Sequence, residues 1–414
     1  MKKFVQQSFT LILLGIMFLS CEEESIDNSN ITLDNNTELE SVQEKYRVTL
    51  EDASLIAETI EFKRNGVALK NGNDRTTRRL LNTFSVPDQR DRDAFHIMNY
   101  RDGGFIILSA DRRTEPVLAF SDSNSFEKSA EMPPALKAWL IDTSLYINAI
   151  RTNLVPASQL NPRAWDKCSI EYAVGARYDD CENNCENTYI YKGPYIKTLW
   201  GQGEKGFPPY NQSLESGDCI TTSNFKYPTG CVATTIAQIA KHYKPTSNYN
   251  WDAMPLDDSN VHIGDLMKDI GESVNMNYSC PESSTANGNI IQGLKSYGFS
   301  SVQHQNYNYS KVKQVLGNGN PVILTAYSKN VKDCPSWVPS WICFNKSYTD
   351  GHVWICDGYI SSFYCSTGSS YLKFHMNWGL SGQYNGYYSF NGSWELGNSG
   401  VSYNFGKKMI YNFN

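Results

Sequence analysis

Apolar positions along this chain recur with different periods, and each period marks a different element. From Phe9 to Leu19 they are almost continuous, behind the positive start Lys2-Lys3. That run is too short for a spanning helix and has the layout of an export-signal core. Leu50, Ala53, Ile56, Ala57 and Ile60 return at helical spacing, whereas Phe105-Ile106-Ile107-Leu108-Ser109-Ala110-Asp111 is the short run of a buried strand. Val232, Ile236, Ile239 and Tyr243 again share one helical face. Tyr227-Pro228-Thr229-Gly230 just before them is turn chemistry, so the spacing predicts a helix that begins at Cys231. Two β-rich runs follow, Gly351 to Tyr359 and Tyr371 to Gly379. The second alternates, with Leu372, Phe374 and Met376 on one face, and the polar stretch Ser361 to Ser370 between the two predicts an antiparallel hairpin.

This layout gives chemistry to a few residues. A thiol at a helix N-terminus meets unpaired N–H groups and the positive end of the macrodipole, which lower its pKa and make it a nucleophile. An inert core cysteine is the plainer alternative. In the predicted hairpin the start of the first strand faces the end of the second, so His352 is expected beside Asn377. An amide oxygen accepting from one imidazole nitrogen would leave the other free to face Cys231. Nucleophile, base and orienter for acyl transfer would then be present. His375 shares the face of Asn377 and is the competing base; a strand histidine without chemical role is the alternative for His352.

Gly230-Cys231-Val232-Ala233-Thr234, Gly351-His352 leading to Asp357-Gly358-Tyr359, and His375-Met376-Asn377-Trp378-Gly379 together resemble the streptopain family of secreted bacterial cysteine peptidases. Asn250-Trp251-Asp252-Ala253-Met254-Pro255, Met276-Asn277-Tyr278 and Pro321-Val322-Ile323 match in order between them. The resemblance implies an α+β fold over residues 191–414: a papain-like, two-lobed peptidase with a helical lobe carrying the nucleophile helix and an antiparallel β lobe. It assigns an oxyanion-hole glutamine to Gln202, because Leu199-Trp200-Gly201-Gln202 leads to Pro209-Tyr210-Asn211. The Gln202 amide and the Cys231 backbone N–H would be the donors, and such preorganised donors are worth roughly 3–4 kcal/mol. Trp378 would shield the His352–Asn377 contact. Substrates would be proteins or peptides with an apolar side chain one residue upstream of the cleaved one, with no cofactor and no metal. Two segments depart from the pattern. Leu380-Ser381-Gly382 stands where the family usually has Trp-Gly-Gly, and Lys329 to Ser347 reads as a cysteine-bearing insertion near the cleft rim. Both bear on substrate preference.

The front half reads as an address label and a safety catch. Residues 1–20 form a lipoprotein-type signal peptide, because Ser20-Cys21 at the end of the apolar core resembles a lipobox, with Phe18 at the usual aliphatic position. Cys21 would become a lipidated N-terminus and the only membrane attachment. Ordinary cleavage to a soluble protein is the alternative. Glu22-Glu23-Glu24 resembles an acidic surface-export tag or is a solvated charge run, and residues 21–43 are a polar tether. Residues 44–150 are globular, and Phe105 to Ser121 resembles the propeptide that precedes streptopain-type peptidases, an intramolecular inhibitor of the cleft. Residues 151–190 are a polar connector where processing is expected. The resulting expectation is an exported zymogen, at the outer membrane or cell surface. A catalytically silent surface lipoprotein that binds through the same fold is the rival reading.

Composition changes this picture little. The 414 residues allow two to three domains, and a net charge of -6 argues against nucleic acid as a partner. Of 11 cysteines, Cys21 and Cys231 have assigned roles, which leaves an odd nine. An exported setting permits disulfides, with Cys334–Cys343 and Cys356–Cys365 as the first candidates. Cys181-x-x-x-Cys185 without a nearby histidine is a weak metal signal, and a disulfide or nothing fits it better.

Overall fold

The computed structural model describes residues 44–60, 78–128, 132–154, 160–175, 181, 185–327, 336–343, 351–389 and 405–413. The expected signal peptide, Cys21, the acidic triplet and the tether lie outside them, as does much of the Lys329 to Ser347 insertion.

The N-terminal part contains α1 (Leu50–Thr59), strands β1 (Leu80–Pro87), β2 (Asp93–Tyr100), β3 (Phe105–Ser109) and β4 (Val117–Ser121), and α2 (Pro134–Arg151). Next come α3 (Lys167–Ala173), β5 (Thr188–Lys192), β6 (Ser216–Cys219) and β7 (Phe225–Lys226). The remainder is α4 (Cys231–Tyr243), α5 (Val261–Ser273), α6 (Asn287–Ser296), β8 (Gln303–Asn306), α7 (Tyr309–Gly317), β9 (Val322–Tyr327), β10 (Gly351–Tyr364), β11 (Ser369–Asn377), β12 (Gly386–Ser389) and β13 (Phe405–Tyr411). The α+β expectation holds. Helix α1 starts where the Thr49 hydroxyl accepts from the Asp52 N–H and the Asp52 carboxylate accepts from the Thr49 N–H, a reciprocal cap. Its face Ala53, Ala57 and Ile60 is buried, as the spacing predicts.

Helices α4, α5 and α6 build one core, in which Ile236, Ile239, Leu266, Ile270, Ile290 and Leu294 meet. The sheet contributes to two more. Strands β1 to β4 are an antiparallel meander, and β4 pairs antiparallel with β12, Ala119 opposite Tyr388 and Phe120 opposite Tyr387. Among the described residues a single sheet therefore runs β1-β2-β3-β4-β12-β11-β10-β9-β13-β8, with β5 on the distal half of β10. Each half covers an edge that the other would leave as an unpaired ladder. Trp139 of α2 packs edge-on against Tyr388 and donates its indole N–H to the Ser389 carbonyl, so the apolar core is continuous across that seam.

The hairpin is present, in a different register from the one expected. Strands β10 and β11 run through the polar stretch to a four-residue turn, Cys365 to Gly368, pairing Tyr364 with Ser369 and Ile355 with Asn377. Counting on, His352 falls beyond the end of β11, and its sheet partner is Ala326 of β9. The expected Cys356–Cys365 disulfide fails for the same reason. Cys356 lies on β10 and Cys365 opens the turn that ends it, nine residues on and about 30 Å away by the usual rise. Cys365 is bonded to Cys185 instead, and Cys356 is a free, buried thiol. Cys168–Cys181 and Cys219–Cys280 are the other described pairs. Cys343 is disulfide-bonded, while its expected partner Cys334 lies outside the described residues.

Within the expected connector, residues 160–175 are folded. Asp166 caps α3, and Ile170, Tyr172 and Ala173 are buried. Ser169 bonds the Tyr371 hydroxyl at 2.7 Å, and Ser362 donates to the Tyr172 carbonyl at 2.8 Å, which docks this segment on the tip of the β10–β11 hairpin.

One buried ion pair crosses the β4–β12 seam. Lys373, wholly buried on β11, donates to Glu115 beside β4, and Glu115 also accepts from the Ser389 hydroxyl. Burial pulls the Lys373 pKa down and Glu115 pushes it back up. Removing one partner of a buried pair costs about 3–5 kcal/mol, because the other charge stays desolvated. Glu115→Ala, in a Cys231→Ala background that keeps the chain intact, should therefore lower the urea unfolding free energy by about 3 kcal/mol. A midpoint indistinguishable from that of the background protein would show that the pair does not hold the seam.

Candidate active site

Cys231 is the first residue of α4, as the sequence predicts. Gly230 before it has φ of 83°, and a Cβ there would meet the Ser283 carbonyl oxygen at 3.0 Å, so the turn demands glycine. No side chain caps this helix, which leaves its first N–H groups available to the sulfur. The backbone N–H groups of Cys231, Val232 and Val353 do favour the thiolate. They do not win. Burial pushes the Cys231 thiol up to about 11, so the expected lowering by the helix end is not realised in this full-length chain. Thr235, one turn on, donates to the Val353 carbonyl at 3.2 Å and locks α4 to β10.

Val353 is the neighbour of His352. The His352 ring is buried, stacked near-parallel on Trp354 at 5.8 Å and on Trp378 at 6.4 Å between centroids. Burial pulls its pKa down to about 4, against a hydrogen bond to the Trp378 backbone that favours the cation. Its Nε2 has no hydrogen-bond partner among the described residues. The backbone next to His352 therefore reaches the Cys231 thiol through Val353, while burial disfavours the charged form of both side chains.

Asn377 does not orient this ring. Its amide donates to the Thr198 carbonyl and the Gln238 side-chain oxygen, both at 3.1 Å, and its own oxygen accepts from the Gly379 N–H at 3.1 Å. The register shift described above is the reason. Asn377 instead shapes the turn that presents the Trp378 backbone to His352. Trp378 is fully buried and stacks on His352, but the contact it was expected to shield is not formed. His375, the competing base, is bound through Nδ1 to Asp357 at 2.6 Å and packs edge-on against Tyr387. Asp357 also accepts from the Ile196 N–H. That histidine is part of the scaffold.

Gln202 sits half-buried in the loop after Trp200, whose indole N–H donates to the Pro255 carbonyl at 2.8 Å. Its peptide is clamped on both sides. The Gln202 N–H donates to Glu204 at 2.9 Å, and the Gln202 carbonyl accepts from the Thr229 N–H at 3.2 Å, two residues before Cys231. Sequence reasoning missed Glu204, Gln238 and Thr198. Gln238 carried a signal, as a long polar side chain between the apolar positions Ile236 and Ile239.

The N-terminal part reaches this site through Tyr384 and through Asn385, which accepts from Asn124 and from the Trp378 N–H. Tyr384 donates its N–H to the Ser125 carbonyl and its hydroxyl to the Glu127 carbonyl, while its own carbonyl accepts from the Trp378 indole at 3.2 Å. Cys168, Glu171 and Cys181 bring potential ligand atoms within 4.8 Å of one another, but the two sulfurs are joined to each other and offer no thiolates.

The site thus joins a thiol on an uncapped helix to a histidine-bearing strand through Val353, and an N-terminal sheet continues the same sheet. Comparison with known proteins fixes the class. Residues 200–388 match the Peptidase C10 family and residues 47–147 match the Spi protease inhibitor family. The chain therefore carries a Peptidase C10 domain behind an inhibitor-type domain, the arrangement of a zymogen, and is a cysteine peptidase. It is similar to streptopain of Streptococcus pyogenes, 22% identical over 378 residues that cover 80% of this chain and 82% of streptopain. It is also similar to the thiol protease/hemagglutinin PrtT of Porphyromonas gingivalis, 22% identical over 348 residues, 73% of this chain and 34% of that protein. The solved structure of Prevotella intermedia prointerpain A superposes with a TM-score of 0.50 at 21% identity, over 81% of this chain and 98% of that one. That likeness carries the fold, two-lobed and papain-like, as the motifs imply.

With the thiol pushed up to about 11, Cys231 of the intact precursor should alkylate slowly with iodoacetamide at pH 7 and climb steeply only above about pH 9. Cys356, buried and also raised, should stay unlabelled. A labelling rate already at its plateau by pH 8 would contradict a neutral, covered thiol.

Proposed function

We propose that this chain is an exported cysteine endopeptidase that hydrolyses peptide bonds through a thioester on Cys231. The observation that carries this reading is the pair of contacts at Val353. Its N–H faces the Cys231 thiol and its carbonyl binds the nucleophile helix, so the strand that carries His352 is held against the start of that helix. Once the N-terminal domain leaves, water reaches both groups and the burial that keeps them neutral is relieved. The thiolate–imidazolium pair can then form. Cys231 attacks the substrate carbonyl, and the Gln202 amide with the Cys231 N–H holds the developing oxyanion. His352 protonates the leaving amine, and afterwards acts as base for the water that hydrolyses the thioester. The Trp378 backbone replaces Asn377 as the group that orients the imidazole.

In the same reading, residues 1–20 are removed on export, Cys21 carries a lipid, residues 44–150 act as the intramolecular inhibitor, and residues 191–414 form the peptidase. Proteins or peptides with an apolar residue one position upstream of the cleaved one are the substrates that family membership favours. A silent binding scaffold is set aside, because the family is one of peptidases and Cys231, His352 and Gln202 are all retained.

Autoprocessing tests this. Cys231→Ala should leave purified precursor at full length under reducing conditions while wild type matures, a loss of at least about a thousandfold in rate. Maturation of the variant at the wild-type rate would mean that another nucleophile does the chemistry.

A further inference from the structure

Glu204 spends its two carboxylate oxygens on two different loops. Oε1 accepts from the Gln202 backbone N–H at 2.9 Å, and Oε2 accepts from the Ser381 hydroxyl at 3.0 Å. The carboxyl group is buried, which raises its pKa, and backbone N–H groups of Gln202, Gly203 and Glu204 together with Ser381 offset part of that cost. A desolvated carboxylate is retained only where its partners compensate, so this is a built feature of the loop. The packing around it is tight. A Cβ on Gly201 would lie 2.3 Å from both Glu204 Oε2 and Ser381 Oγ, so only glycine leaves room for the bridge.

Ser381 supplies an independent observation. It has φ of 50°, a left-handed conformation that costs a serine more than a glycine. It also lies in the Leu380-Ser381-Gly382 segment, which departs from the glycine-rich pattern of similar peptidases. A serine held in a strained turn, with its hydroxyl on Glu204, indicates that the hydroxyl is what the position needs.

We propose that Glu204 is a positioning residue for the oxyanion site: it ties the Gln202 peptide to the Gly379–Gln383 turn and so fixes where the Gln202 carboxamide points. The Thr229 N–H holds the same peptide from the opposite side, and Thr234 of the nucleophile helix donates to the Gly201 carbonyl at 3.3 Å. Gln202 therefore has a backbone anchored to both walls of the cleft, with its amide free to aim. This inference rests on the reading of Gln202 as an oxyanion donor.

The test uses enzyme matured in trans by a trace of wild type, a fluorogenic peptide substrate, and iodoacetamide alkylation of Cys231 alongside. Alkylation forms no oxyanion, so it reports the thiol alone. Glu204→Ala should lower kcat about 10–100-fold with KM within about twofold, and leave the alkylation rate unchanged. Glu204→Gln can still accept from the Gln202 N–H and donate to Ser381, and should recover to within about threefold of wild type. Ser381→Gly, which keeps the turn, should lose about 3–10-fold in kcat. Glu204→Ala added to Gln202→Ala should cost nothing further, since both act through one donor. Additive losses, or alkylation falling in parallel with kcat, would overturn the positioning role. If Gln202→Ala leaves kcat intact, the oxyanion assignment itself falls, a result distinguishable from either. Should Glu204→Ala not fold, Glu204→Gln and Ser381→Gly carry the comparison.

Discussion

The register of one hairpin governs the rest of this molecule. A four-residue turn, Cys365 to Gly368, sets Ile355 opposite Asn377, and every position along β10 and β11 follows from it. His352 is thereby carried past the end of β11, where the polypeptide turns at Trp378 and Gly379. The ring finds indoles on two sides and a backbone group for its hydrogen bond. Asn377, held back by the same register, becomes the peg of that turn through Gly379, Gln238 and Thr198. A shorter strand pairing would have exchanged these roles.

Much of this was legible in the chain. Helical spacing from Val232 to Tyr243 and the Pro-Thr-Gly turn before it located the nucleophile helix to the residue, because period and punctuation agree there. The two β runs and the solid strand at Phe105 were equally plain. What failed was register, since alternation tells which residues share a face but not where the turn closes. The polar stretch Ser361 to Ser370 looked like loop, yet its residues Ser361 to Tyr364 pair as strand. Disulfide pairing failed for a related reason: Cys185 and Cys365 are 180 positions apart, and no local signal connects them. The Glu204 bridge was invisible because both its partners are loop residues.

The same elements explain how the intact chain stays quiet. The N-terminal sheet continues the peptidase sheet through β4 and β12 and grips Tyr384, whose carbonyl holds Trp378. In that closed arrangement low polarity around the site acts on both reacting groups in opposite directions, thiol upward and imidazole downward. Both shifts disfavour a thiolate–imidazolium pair in the intact chain.

The bond between Cys185 and Cys365 has a topological consequence. It closes a covalent ring through the peptidase, and Gln202, Cys231 and His352 all lie inside it. Unfolding such a ring releases less chain entropy than unfolding an open strand, a restraint worth about 5 kcal/mol by loop-closure arithmetic. A proteolytic nick anywhere on the circumference opens the loop without detaching a fragment, so an enzyme working among other proteases keeps its parts together after the first cut.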